Sequence, residues 1–468
     1  MAFNQLLFPF VFLPVSVLLF AVVPGPFKKL ILLLESLLFI AWGNPGDLLL
    51  ILLSVAFNYA SAREIAWFKR RRKKKNAKNV LIASVVVNLL MLGYFKYYNF
   101  AAENVGALLN AAVPKNTMAA PVGISFFTFS VLSALFDIYR DKAPAPRNPL
   151  DFALFVSFFP KLSSGPIIQY HEMMPQLDAL SLSKENLENG LRVFVAGLSK
   201  KVLLANTLGL AFYAIADLPT GELSMLTAWI GALSYTFMLY YDFSGYSDMA
   251  VGLGRVFGVT LPQNFRYPYC SDSVAVFWRR WHASLGAWFR DYVYIPLGGS
   301  REGNGKTIRN LLVVWMLTGI WHGANWTFVV WGLYHGLLLI LEKFVFARVI
   351  EKLPVAVRRV ISFLLVVFGW VFFFSPSIGS AVGFLAGMFR VTRFADSTAL
   401  YYLGSNWLLF VIAVVGALPV VRNLALRLKK RGDGWFYVAG AAVFTLLFVF
   451  CIAGMVSDTY TSFLYSQF

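Results

Sequence analysis

Residues 310–347 read NLLVVWMLTGIWHGANWTFVVWGLYHGLLLILEKFVFA. The run is too long for one transmembrane helix, which needs about 20 apolar residues, and it breaks at Gly323. It reads as two helices meeting near membrane depth, with His322 at the junction. Only four histidines occur in 468 residues, and a neutral imidazole takes a proton near pH 7. An ionisable group at bilayer depth is costly, so it points to function. The competing reading is an imidazole bonded to a neighbouring helix for structure alone. Gly323 leaves room for a chain to approach the ring. On a helix, Asn325 lies three residues on and shares a face with His322, close enough to orient the ring or a substrate carbonyl. On the same assumption His335, thirteen residues on, falls on roughly the opposite face. It reads as structural, as does His171 in a Pro-punctuated loop.

Composition sets the class. Apolar residues make up 59% of the chain and charged residues 14%, with a mean hydropathy of +0.66, whereas soluble domains carry about 25% charged residues. The expected fold is all-α: a polytopic integral membrane protein of about 11 transmembrane helices, with re-entrant or short helices around a central funnel or tunnel. Candidate spans are 6–24, 28–43, 47–67, 79–98, 120–139, 202–217, 226–250, 360–376, 405–421 and 434–455. The run from Leu6 to Val23 has no positive flank and no evident cleavage site, so it reads as a first span, not a removed signal. The whole chain is expected to be one transmembrane domain, with N-terminal helices 1–140, a core 150–345 and C-terminal helices 346–468. No inverted repeat of the transporter kind is visible.

The net charge of +18 does not indicate nucleic acid, because the basic residues cluster in short loops between apolar runs. Lys28 and Lys29, the run Lys69–Lys75 with Lys78, and Arg140, Lys142 and Arg147 mark cytoplasmic loops. So do Arg348, Lys352, Arg358 and Arg359, and then Arg422, Arg427, Lys429, Lys430 and Arg431. Both termini are then extracytoplasmic. The run 69–78 reads as a topology anchor beside anionic lipid; its second reading is a dock for an acidic carrier protein or polyanionic donor. Cys270 and Cys451 give neither a disulfide framework nor a metal pattern, and no metal site is expected.

Two segments are not simple spans. Residues 150–175 are interrupted by Pro160, Gly165 and Pro166, and residues 271–299 mix aromatics with Arg279, Arg280, Arg290 and Asp291. Irregular backbone at membrane depth must be enclosed by protein or line a cavity, so a substrate path would be built there. Read as a helix, FWRRWH (277–282) places His282 and Trp278 on one face with Arg279 nearby. The arginines would snorkel to phosphates of lipid or of a soluble donor such as coenzyme A. Arg290 and Asp291 read first as a paired structural knot, with Tyr294 and Gly298-Gly299 as cavity-lining candidates. In YDFSGYSD (241–248), Asp242 and Asp248 with Ser244 and Ser247 suggest a polar lining or a carboxylate pair for acid/base work, with helix capping and ion pairing to 279–290 as the plainer expectation. No serine-nucleophile, zinc-protease, CxxC or nucleotide-binding motif is present. A histidine in a tunnel without a strong nucleophile beside it suits direct group transfer, the base deprotonating an acceptor hydroxyl that attacks an acyl carbonyl.

The strings YDFSGYSDMAVGLG (241–254), FWRRWHASLGAWFRDYVYIPLGG (277–299) and GIWHGANWTFVVWGLYHG (319–336) resemble those of membrane-bound O-acyltransferases. Within that family they are most similar to the alginate O-acetyltransferase type. GYFKYYNF (93–100), PVGISFFTFSVLSALFDIYR (121–140) and FFPKLSSGPIIQY (158–170) extend the resemblance over about residues 5–375. Ser163-Ser164-Gly165-Pro166 departs from the family's apolar-Ala-Gly-Pro pattern. The resemblance implies that His322 is the catalytic histidine and His282 a second histidine at the site. It implies a bacterial cytoplasmic (inner) membrane location, with acetyl-CoA as the cytoplasmic donor and no bound cofactor. It also implies an extracytoplasmic acetyltransferase-like partner that modifies an exported or cell-wall glycan of alginate, cellulose or peptidoglycan type. Trp278, Trp321 and Tyr294 would line the path. The rivals are a D-alanyl transferase for teichoic acids, fed by an acyl carrier protein, and a transporter of acyl groups or glycan without chemistry.

Overall fold

A computed structural model describes residues 1–430 and 434–457, and all regular structure among them is helical. Among the described residues, seven helices are long and apolar enough to cross a membrane: Pro45–Arg70 (α3), Lys74–Leu109 (α4), Lys184–Ala216, Trp326–Phe344 (α15), Val355–Phe374 (α17), Ser397–Ala417 (α19) and Gly434–Ser457 (α21). Shorter apolar helices accompany them, at Phe8–Val22, Ile124–Tyr139 and Ile378–Met388. The chain is an all-α, multi-pass membrane protein, as its composition predicts. Apolar side chains on the spanning helices stand outward where lipid would cover them; Val438 is 72% exposed. The expected span 202–217 is the second half of a longer helix, which continues from α9 (Lys184–Ser199) through a π-helical turn at Lys200–Ala205 into α10 (Asn206–Ala216).

The chain divides into two compact units, with boundaries inside helices α9 and α11 (Met225–Val256) and in the segment after α11, between residues 263 and 264. The first holds residues 1–194 and 246–263: α1 (Leu13–Val22), α2 (Lys28–Gly43), α3, α4, α5 (Ile124–Tyr139), α6 (Pro149–Ser157), α7 (Phe159–Leu162) and α8 (Tyr170–Leu177). Local chemistry sets their starts. Asn44 caps α3 by accepting from the Gly46 amide at 3.1 Å, with Pro45 in the first turn. Asn148 caps α6 the same way, ahead of Pro149. Both follow the preference for Asn at the cap and Pro just inside. The basic run sits where expected, in the turn between α3 and α4, and its residues from Arg70 to Lys75 are exposed. Lys69 turns back to the Tyr139 carbonyl and to Asp141. The Pro/Gly-interrupted segment is buried from Asp151 to Leu162, so its broken backbone is enclosed by protein as membrane depth requires. Lys161 donates to Ser130 at 2.9 Å. His171 Nδ1 meets Asp137 at 2.8 Å, the structural role expected of it.

Of the described residues, the second unit holds 195–245, 264–430 and 434–457. It contains α10, most of α11, α12 (Val274–Arg280), α13 (Ala283–Phe289), α14 (Asn304–His322), α15, α16 (Ala347–Lys352), α17, α18 (Ile378–Met388), α19, α20 (Val420–Lys430) and α21. The quoted run folds as the break at Gly323 predicts. α14 ends at His322, Gly323 is extended, and Asn325 caps α15 by accepting from the Thr327 amide at 3.0 Å. The two helices return along each other as a hairpin, with Gly319 against Gly332 and Trp315 against Gly336. A Cβ on Gly332 would stand 2.4 Å from the Trp315 carbonyl, and one on Gly319 2.5 Å from that of Phe328. Only glycine allows backbones so close, and small residues are the usual contact surface between membrane helices.

Candidate active site

His322 occupies the last turn of α14 and is 2% exposed. Its Nδ1 lies 2.7 Å from the Thr318 carbonyl. A carbonyl can only accept, so Nδ1 carries the proton and Nε2 the lone pair. The ring is boxed by aromatics: Trp331 at 4.7 Å, Trp321 at 4.8 Å and Phe373 at 5.4 Å between centroids. α15 supplies Trp331 and α17 supplies Phe373, so three helices fix one imidazole.

His282 sits between α12 and α13 in the left-handed region, at φ 45° and ψ 51°. α12 stops at Arg280 and Trp281 is extended, so the expected single helix over 277–282 does not form. His282 and Trp278 therefore do not share a helical face. Asn264 holds the turn. Its carbonyl accepts from the Ala283 amide at 3.0 Å, and its Oδ1 accepts from the Ser284 amide at 3.1 Å. The same Oδ1 lies 3.3 Å from His282 Nδ1. An oxygen there makes Nδ1 the donor and leaves the Nε2 lone pair, the same tautomer as His322. Phe243 of α11 packs against the ring at 4.6 Å, and Trp321 borders it at 6.2 Å. The indole of Trp321 thus faces both imidazoles.

Trp278 faces the other side of the aromatic cluster. Its indole N–H donates to His335 Nδ1 at 3.3 Å, and its ring meets Trp315 at 4.6 Å and Trp331 at 5.6 Å. His335 was expected opposite His322, but that geometry assumed an unbroken helix. Because the chain turns at Gly323, His322 and His335 lie on the two arms of the hairpin, and both rings touch Trp331, at 4.7 and 5.3 Å. Trp370 and Phe373 of α17 also border Trp331, at 6.0 and 5.1 Å. The only trace of this box in the sequence was the density of tryptophan itself.

The remaining candidates stand elsewhere. Asn325 does not share a face with His322. It caps α15 and donates to the Pro376 carbonyl at 3.0 Å. Asp242 was expected to pair with 279–290; the structure pairs it with Lys201, at 2.6 Å and with both side chains buried. Lys201 lies in the π-helical turn Lys200–Ala205, a position no sequence signal singles out. Ser244 is buried on α11. Arg290 is exposed and forks onto Asp291 at 2.8 and 3.1 Å, the paired knot expected of it. Arg279 is exposed at the end of α12, and Tyr294 closes the π-helical turn Arg290–Tyr294. Gly298 and Gly299, at φ 102° and 59°, follow it.

Residues 38–380 match the model of the membrane-bound O-acyltransferase family. The chain belongs to that family. It is 35% identical to the probable alginate O-acetylase AlgI of Pseudomonas putida over the full length of both chains. Identity to the peptidoglycan O-acetyltransferase of Helicobacter pylori is 38%, over 82% of this chain and 79% of that one. A teichoic acid D-alanyltransferase of Bacillus subtilis is more distant, at 29% over 60% of this chain and 72% of that one. The protein is thus a membrane O-acyltransferase of the alginate O-acetylase type.

Proposed function

We propose that this protein takes acetyl from a cytoplasmic thioester, acetyl-CoA, and passes it across the membrane for O-acetylation of an exported or cell-wall polysaccharide. The observation that carries the chemistry is the hydrogen bond from His322 Nδ1 to the Thr318 carbonyl, which presents Nε2 as the proton acceptor. Nε2 takes the proton of an acceptor hydroxyl as its oxygen bonds to the thioester carbonyl carbon. The C–S bond then breaks, and the leaving thiolate takes the proton from the imidazolium. The ester and the free thiol are the products, and no protein-bound acyl group is needed. His282, in the same tautomer beside Trp321, orients the donor or assists proton transfer. An extracytoplasmic acetyltransferase-like protein would complete delivery to the glycan. In this reading the chain lies in a bacterial cytoplasmic membrane with both termini outside.

The test is the purified protein in proteoliposomes, given either acetyl-CoA or a carrier protein charged with D-alanine. Release of free coenzyme A that rises with added glycan acceptor, and none from the charged carrier, is the expected result. Release from the carrier alone would make the protein a D-alanyl transferase. No release from either, with passage of acyl groups or glycan, would make it a transporter.

A further inference from the structure

The second unit carries a cavity of about 720 Å³ whose walls do not include His322. Its walls come from α11 (Leu226, Trp229, Leu233), α17 (Phe363) and α19 (Trp407, Val411), and apart from one end they are apolar. It runs along α19 from Leu403 to Leu418, a length of about 22 Å at the helical rise of 1.5 Å per residue. That exceeds half of the roughly 30 Å hydrocarbon core, so the groove accepts one extended acyl chain of a single leaflet. It opens sideways, between helices whose outer faces are apolar: Trp407 is 59% exposed on its rim.

The other end differs. Arg359 lies there with Cys270, Ala417 and Leu418, and the Cys270 thiol points to the Ala417 carbonyl at 3.8 Å. Neighbouring Arg358 is engaged by Asp272 at 3.6 Å. Arg359 is exposed and, among the described residues, makes no ion pair. The flanking chain on this side is basic, with Arg348 and Lys352 before α17 and Arg422, Arg427, Lys429 and Lys430 on α20. An apolar slot of acyl length ending at an unengaged guanidinium is complementary to one molecule with both features. We propose that this groove binds an anionic glycerophospholipid, one acyl chain along α19 and the phosphate at Arg359. A guanidinium matches phosphate in charge and in its forked geometry, and anionic headgroups concentrate beside basic flanks of membrane helices.

The test uses the full-length protein in bilayers doped with phosphatidylglycerol or phosphatidylcholine bearing the same acyl-chain diazirine, with labelled peptides identified by mass spectrometry. Labelling should concentrate on peptides containing Phe237, Phe363 and Val411, and should favour phosphatidylglycerol by about fivefold, the factor one basic side chain contributes near a membrane surface. Arg359→Gln should remove that preference but not the labelling. Val411→Trp, at a half-exposed position where the fold is not at risk, should abolish labelling in the groove. Equal labelling by the two lipids, labelling spread evenly over all outer helix faces, or a groove covered by a second copy or another segment of the chain would each overturn the proposal.

Discussion

His322 and His282 are buried, aromatic-flanked and held by different means, one by a helix carbonyl and the other by an asparagine beneath a left-handed turn. That difference separates their variants. His282 is at φ 45°, where Asn is far better tolerated than most residues. His282→Asn should therefore keep the thermal stability within about 1 kcal/mol while slowing transfer by about 10²-fold or more, the loss typical of a positioned proton-transfer group. Asn264→Ala should lower both, since it strands the Ser284 amide at a cost of about 1–3 kcal/mol. A thermal shift assay beside the coenzyme A release assay distinguishes them. Equal activity of His282→Asn and wild type would remove His282 from the chemistry. At this scale the rarity of His322 and its flanking Trp and Gly single it out in the sequence, and the structure buries it in the last turn of α14. The sequence was misleading for Asp242, whose Lys201 partner is 41 residues away on a π-helical turn that no periodicity reveals.

The α14–α15 hairpin is the element that builds the candidate site. Its glycine contacts let Trp331 reach His322 from the returning arm. Gly332→Ala places a Cβ 2.4 Å from the Trp315 carbonyl, and forcing the arms apart should cost about 1–3 kcal/mol. Activity should fall with stability as the aromatic box opens. Gly404→Ala on α19 meets no atom within 4 Å and should be neutral or gain up to about 1 kcal/mol from helix propensity. Unfolding temperatures of the two variants provide the comparison, and an unperturbed Gly332→Ala would refute the close hairpin. The break at Gly323 was readable from length and composition alone. Its consequence for Asn325 and His335 was not, because face arithmetic holds only within one helix, and the turn resets both positions.

For the whole molecule, hydropathy and charge made the all-helical, multi-pass character plain, since few chains with 59% apolar residues have any other solvent than lipid. Helix number was less legible. Short apolar helices and broken segments such as 150–175 satisfy their backbone inside protein, so they need not meet the length rule for spans. Orientation rests on the basic loops and is open to direct test. In a background without Cys270 and Cys451, Thr117→Cys between α4 and α5 should react with an impermeant maleimide in intact spheroplasts. Lys74→Cys in the basic turn should react only after permeabilisation. The reverse pattern would invert the topology.

The central claim is that His322 is chemical and not merely structural, and cells report on it directly. Glycan O-acetyl content should be measured in cells expressing His322→Ala, with the protein's level in the membrane checked by blot. Acetylation lost by about 10²- to 10⁴-fold at an unchanged protein level is the predicted result. Retained acetylation at that level would contradict it, making His322 a packing residue of the aromatic box and moving the search for the base to His282.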